Sequence, residues 1–262
     1  MPCIGLGTYP LDDREVREAI VAAADVGYRL IDSAHRYGNE TGVGDGVRAT
    51  GLAREELFVT TKLDGEWQGQ NRALSGIDGS LARMKLDYVD LLLIHWPIPR
   101  RDEYVSTWRT FEAIAASGKA KSIGVSNFKP AHLERLRAET SVVPAVNQIE
   151  MSPYTAREAS RAYDSSHGIV TQGWSPLAAG SGLVKDALPA SIGDRHGRTP
   201  VQVALRWFVQ IGVVPVPKSG DPKRMAENFD VFDFALSEDE MTQISTLDKG
   251  ETGVVDSDSF GH

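Results

Sequence analysis

Asp32 and Tyr37 share one short stretch, IDSAHRYGNE. It opens as an apolar strand after the Gly27–Tyr28 turn and closes in a Gly38–Asn39 loop ahead of a helix. A buried strand ending in ionisable groups is where an α/β protein commonly places chemistry. The pattern recurs along the chain. Apolar runs end at Lys62 in FVTTK, His95 in LLLIHWP, Ser126 and Asn127 in GVSNF, Asn147 and Gln148 in VNQIE, Trp174 in QGWSPL and Lys218 in VPKS. Singly, each has a plain structural explanation: Asp32 as a cap, Lys62 as a solvated strand end, His95 as a half-buried histidine. Gathered at one mouth, Asp32, Tyr37, Lys62 and His95 would cost desolvation unless they serve each other and a ligand.

The chemistry they suggest is proton donation. A tyrosine hydroxyl, with an ordinary pKa of about 10, is a poor acid at neutral pH. Lys62 beside it is expected to lower that value, and Asp32 to keep Lys62 charged and placed. His95 can hydrogen-bond a substrate oxygen. Such a set is a general acid for the alkoxide that develops when a carbonyl accepts a hydride. No side chain donates hydride, so a nicotinamide is expected at the same mouth. Ser126, Asn127 and Gln148 could hold its carboxamide, and Trp174 could stack on its ring.

Positioning these groups takes a repeating scaffold. The patterning predicts strands at 4–8, 29–32, 57–61, 88–94, 122–126, 145–149, 169–174 and 213–217, each followed by helical spacing. The first helix spans 12–26, with apolar Val16, Ile20, Ala23 and Ala24 on one face and Gly27 as its stop. Others follow at 71–85, 105–117, 132–138, 157–167, 200–211 and 221–229, the one at 200–211 after a long loop. Thr199 and Pro200 mark that helix start well. The run YVDLLLI is almost wholly apolar, as in a strand covered on both faces. Repeated βα units in this length predict an α/β fold: a single-domain (β/α)8 TIM barrel over residues 1–262, with one further helix at 236–247 after the barrel closes and a loose tail from Gly250. The glycines of GVGDG follow the Tyr37 loop rather than a dinucleotide-binding strand, so they predict a tightly packed helix.

Composition limits the partners. A formal charge of −8 argues against nucleic acid and anionic membranes. Cys3 is the only cysteine, no run is long and apolar enough to span a bilayer, and the N-terminus lacks a signal pattern. A cytoplasmic monomer acting on a small molecule is expected. The six histidines are scattered in sequence, and no metal site is predicted.

The motifs GYRLIDSAHRYGNE, FVTTK, LLLIHWP, GVSNF, VNQIE, QGWSPL and VPKS…RMAENF, in this order over almost the whole chain, resemble the aldo-keto reductase superfamily. The likeness is strongest to its bacterial 2,5-diketo-D-gluconate reductase-like branch. The resemblance implies NADPH-dependent reduction of aldehydes or ketones, with Tyr37 as proton donor assisted by Asp32, Lys62 and His95. It implies that Ser126, Asn127, Gln148 and Trp174 position the nicotinamide, while Ser175 and Leu177 line the pyrophosphate channel. Lys218, Ser219 and Arg224 would meet the 2′-phosphate, and Glu227 and Asn228 the adenine. Tyr9, Trp96 and His95 match substrate-lining positions. The cluster Lys218, Lys223 and Arg224 independently reads as a local anion site in an acidic protein.

Two departures stand out. Relatives usually carry a bottom-closing β-hairpin before the first strand, whereas this chain starts almost inside that strand, so a less covered barrel bottom and lowered stability are expected. Asp64 occupies a position that is often aromatic, with Trp67 as a near substitute and an open mouth expected. These features favour small polar carbonyls, dicarbonyls or keto-sugars over steroids. Two rival functions are a non-catalytic cofactor-binding protein and a barrel isomerase or aldolase using Lys62 as a Schiff base.

Overall fold

The computed structural model describes every residue except 71, 179 and 180. Its strands are β1 (Gly5–Gly7), β2 (Leu30–Asp32), β3 (Phe58–Leu63), β4 (Val89–Ile94), β5 (Ala120–Ser126), β6 (Val146–Glu150), β7 (Val170–Trp174) and β8 (Val214–Val216). All pair in parallel in sequence order. The Gly7 amide donates to the Pro217 carbonyl at 3.0 Å, and Gly7 bridges Lys218 in parallel, which closes the barrel. Glycine is needed there, because a Cβ on Gly7 would lie 2.9 Å from the Val216 carbonyl oxygen. The close approach at this glycine is the barrel's own seam.

Outside run α1 (Asp13–Val26), α2 (Glu40–Ala49), α3 (Arg72–Met84), α4 (Tyr104–Ala116), α5 (Pro130–Glu139), α6 (Glu158–Ser166), α7 (Ala187–His196), α8 (Pro200–Gln210), α9 (Pro222–Phe229) and α10 (Glu238–Ser245). Val16, Ala19, Ile20 and Ala23 form the buried face of α1, and an Asp12–Glu15 capping box starts it. The GVGDG glycines lie inside α2, where a Cβ on Gly42 would fall 2.2 Å from the Asp13 carbonyl oxygen and one on Gly44 1.9 Å from that of Met84. That helix packs as tightly as its sequence predicts. The expected start of α3 at Asn71 lies outside the described residues.

Three expectations need amendment. The stretch before Pro200 is not all loop, since α7 forms there. Asp186 caps it by accepting from the Leu188 amide, and Pro189 falls in its first turn, where a missing N–H costs little. The segment from Gly250 is not loose. Lys129 pairs with Asp256 and Asp258, Arg100 donates to the Ser259 and Gly261 carbonyls, and the Gly65 amide donates to the His262 carbonyl at 2.8 Å. The segment therefore lies along one side of the barrel mouth, which is less open than expected. Among the described residues no strand precedes β1.

One buried group should make stability depend on pH. Asp164 on α6 is fully buried, accepts from Thr171 Oγ1 at 3.0 Å and has Asn147 Nδ2 3.3 Å from each carboxylate oxygen. Burial outweighs these bonds and raises its carboxyl to about 6. The folded state thus holds this proton more tightly than the unfolded chain. The contribution is fully present below the unfolded value of about 4 and is lost as pH rises to about 6. Asp164→Asn is expected to raise the melting temperature at about pH 8 by ~2–6 °C and to lose that gain at about pH 4. Thermal melts at both pH values check it.

Candidate active site

Side chains alternate across a strand, so the parity of the buried residues decides which ones enter the barrel. Leu30, Val214 and Val216 form one inner cluster and Leu91, Leu93 and Val146 another, with Phe58 packed against both. Their even-step successors toward the C-terminal ends are the chemical residues: Asp32 after Leu30, Lys62 after Phe58 and Thr60, His95 after Leu93, Gln148 after Val146, and Lys218 after Val216. The alternation that fills the barrel also aims these side chains at its mouth.

Lys62 Nζ lies 2.7 Å from Asp32 Oδ2, 2.9 Å from the Ser33 carbonyl and 3.1 Å from the Tyr37 hydroxyl. Its three ammonium hydrogens are matched by three acceptors, and the residue is fully buried. Burial alone would pull its pKa down, but Asp32 and then Tyr37 more than offset this, and the net direction is up. The ammonium is the resident form. Tyr37 also moves up, contrary to the expectation from Lys62 alone: burial dominates, and Lys62 offsets only part of it. Tyr37 therefore holds its proton at neutral pH.

The Tyr37 turn is pinned from behind. Asn39 is fully buried and donates to the Thr8 and Leu11 carbonyls at 3.2 and 2.8 Å, while its Oδ1 accepts from Ser33 Oγ at 3.2 Å. Glu40, the first residue of α2, accepts from Thr61 Oγ1 at 2.6 Å and from Arg83 at 2.7 Å. These contacts hold the ends of the turn on β1, β2, β3 and α3.

His95 lies across from Tyr37, with ring centroids 6.0 Å apart. Its Nδ1 is 2.7 Å from Oδ1 of Asp64, which is buried, and burial lowers the imidazole's pKa. Trp67 does not replace an aromatic at position 64. It packs edge-on against His35, 5.3 Å between centroids, away from the cavity lining. Folding also brings His262 to within 3.7 Å of Asp64, so that Asp64, His95 and His262 offer ligand-type atoms within 4.8 Å of one another. The scatter of histidines in sequence concealed this cluster. The 2.7 Å Asp64–His95 separation is nonetheless that of a direct hydrogen bond. Two ligands held tetrahedrally at zinc distances stand about 3.3 Å apart.

A cavity of about 790 Å³ opens above these residues, within the range of ligand sites. Asp32, Tyr37, His95, Tyr9 and Trp96 line it, while the buried Lys62 does not. Ser126, Asn127, Gln148, Trp174, Ser175 and Leu177 also line it. They form a bonded frame. Trp174 Nε1 donates to Asn127 Oδ1 at 2.9 Å, Asn127 Nδ2 donates to the His95 carbonyl at 3.0 Å, and Ser126 Oγ donates to the Gln148 carbonyl at 2.8 Å. Gln148 Nε2 is engaged by Asp32 Oδ1 at 2.7 Å and Gln172 Oε1 at 2.5 Å, which leaves its own Oε1 for a ligand. Asn127 and Ser175 hold left-handed backbone conformations, φ 63° and 55°, at the cavity edge.

The 218–228 segment divides. Lys218 lines the cavity, but Ser219, Arg224, Glu227 and Asn228 do not. Ser219 Oγ accepts from the Asp221 amide at 3.1 Å, and Asn228 is buried. Glu227 accepts from Thr199 Oγ1 at 2.6 Å. The Arg224 side chain is 71% exposed, with Asp221 3.6 Å away. Sequence reasoning missed four residues at or under the mouth: Arg36, Gln172, His262 and the role of Asp64. Strand parity could have found Gln172, two residues before Trp174. Nothing local signals His262.

The chain matches the Aldo/keto reductase family over residues 3–249. It is 45% identical over 263 residues to the methylglyoxal reductase DkgA of Salmonella typhimurium, covering 100% of this chain and 94% of the relative. It is 48% identical over 246 residues to 2,5-diketo-D-gluconic acid reductase B of a Corynebacterium species, covering 94% and 89%. Among solved structures, a mutant of Gox0644 in complex with NADPH superposes with a TM-score of 0.94 at 41% identity, covering 99% of this chain and 94% of that one.

Proposed function

Since the chain belongs to the aldo/keto reductase family and is an NADP(H)-dependent carbonyl-reducing oxidoreductase, we propose that it reduces small polar aldehydes and ketones, dicarbonyls or keto-sugars, with Tyr37 as the proton donor. The observation that carries this reading is the Lys62 ammonium 3.1 Å from the Tyr37 hydroxyl, itself locked by Asp32. As the substrate carbonyl becomes an alkoxide, Tyr37 gives it the phenolic proton. Lys62 stabilises the phenolate left behind, and Asp32 balances the buried charge. The same ion pair argues against a Schiff base, because a protonated, fully hydrogen-bonded amine has no lone pair to attack with.

The cavity residues fit NADPH, which when bound supplies the hydride. Ser126, Asn127 and the open Oε1 of Gln148 would hold the nicotinamide carboxamide, and Trp174, fixed by Asn127, would meet the ring. Ser175 and Leu177 would border the pyrophosphate. Lys218, Ser219 and the exposed Arg224 would take the 2′-phosphate, with Glu227 and Asn228 nearest the adenine. Arg224→Ala is expected to raise the KM for NADPH about ten- to a hundredfold and leave that for NADH nearly unchanged. Equal losses for both cofactors in steady-state assays would remove Arg224 from this role.

Arg36, His95 and His262 beside Tyr9 and Trp96 make a polar mouth suited to small polar carbonyls. A panel of aldehydes, dicarbonyls and keto-sugars, assayed by NADPH oxidation with Tyr37→Phe as blank, tests the reading. No substrate oxidising NADPH faster than the blank would overturn it.

A further inference from the structure

Asp64 is a buried carboxylate whose Oδ1 lies 2.7 Å from Nδ1 of His95, within hydrogen-bond distance, with Nε2 of His262 farther off at 3.7 Å. An ionised carboxylate can only accept, so Nδ1 must carry the hydrogen. The ring also faces Lys62 from β3, Asp32 from β2, Tyr37 from the turn beyond β2, and His262, whose ring centroid is 5.3 Å away. Burial, the largest of these influences, disfavours the imidazolium, and Lys62 adds to it. A neutral ring has a single N–H, and Asp64 claims it. Nε2 then keeps a bare lone pair, and it has no hydrogen-bond partner among the described residues while the His95 side chain lines the cavity.

Resting on the carbonyl-reductase reading above, we propose that Asp64 is a positioning residue that holds His95 as the Nδ1–H tautomer, so that His95 meets the substrate as an acceptor and selects α-hydroxycarbonyl compounds. The substrate's carbonyl oxygen takes its hydrogen bond from Tyr37, and the neighbouring hydroxyl donates to Nε2. A site built to receive a hydroxyl discriminates against an analogue that lacks one, because its polar group is then left unpaired. This turns the acidic residue at position 64, otherwise a lost piece of aromatic wall, into a determinant of substrate class.

Two measurements test it. In the holoenzyme with NADP⁺, nitrogen-15 NMR of labelled histidines at neutral pH should show His95 with a pyrrole-type Nδ1 and a pyridine-type Nε2. A hydrogen on Nε2, alone or with Nδ1, overturns the proposal. In kinetics, hydroxyacetone and butanone differ only by a hydroxyl in place of a methyl. The wild type should favour hydroxyacetone by about tenfold or more in kcat/KM, mainly through KM. Asp64→Leu should abolish that preference, and Asp64→Asn, which keeps an acceptor oxygen, should restore part of it. An unchanged ratio in a folded Asp64→Leu protein counts against the proposal, and if that variant does not fold, the wild-type spectrum and ratio decide. Failure to reduce any carbonyl would instead overturn the reductase reading, and the substrate preference with it; the tautomer is judged by the spectrum alone.

Discussion

Tyr37→Phe is expected to lower kcat for carbonyl reduction about a hundred- to ten-thousand-fold, the usual worth of a placed general acid. It should do so without a matching loss of NADPH affinity. The phenol ring packs against Tyr9, with centroids 5.1 Å apart, and phenylalanine keeps that contact. The turn's ends are held by Asn39 and Glu40, not by the hydroxyl. Only the 3.1 Å bond to Lys62 is lost, so stability should fall by no more than about 1–2 kcal/mol. Stopped-flow single turnovers, fluorescence titration with NADPH and a thermal melt separate the three quantities. A variant with near-normal turnover would require another acid.

Lys62→Met should damage both activity and fold. It leaves Asp32, 3% exposed, with a buried charge and, among the described residues, only the Gln148 amide as a side-chain partner. Breaking a buried ion pair from one side costs about 3–5 kcal/mol, which for a domain of this size lowers the melting temperature by ~6–20 °C. Activity should fall at least as far as in Tyr37→Phe, because the phenolate loses its counter-charge. The double variant Lys62→Met/Asp32→Asn should recover most of the stability and none of the activity. That split distinguishes a charge left stranded from a simple packing defect. If both properties returned together, the ion pair would be structural scaffolding only.

How far the chain could be read in advance follows from where each signal lies. β2, β3 and β4 announce themselves through local apolar runs, and their termini at Asp32, Lys62 and His95 follow from the two-residue period of a strand. The barrel itself follows from repetition of the βα unit. Asp64 could be seen only as an odd residue, because its partner His95 lies on the next strand's end and their meeting depends on the β3–β4 register. The upward shift of Tyr37 is hidden from sequence for a related reason: a neighbouring charge is visible there, whereas burial of the hydroxyl is a property of the assembled mouth. The segment carrying Phe260 and His262 has no periodicity to read. Its place is set by Phe260 against Trp96, 4.8 Å between centroids, and by hydrogen bonds from the Arg100 side chain and the Gly65 amide to its carbonyls.

A carbonyl-reducing enzyme works among electrophiles that form adducts with amines, and Lys62 is buried beside Asp32 and Tyr37, both of which line the cavity. With every ammonium hydrogen held and the charged form favoured by Asp32, that nitrogen is not a nucleophile. The lock that would make Tyr37 a usable acid in the proposed reaction would therefore also shield Lys62 from adduct formation with carbonyl substrates.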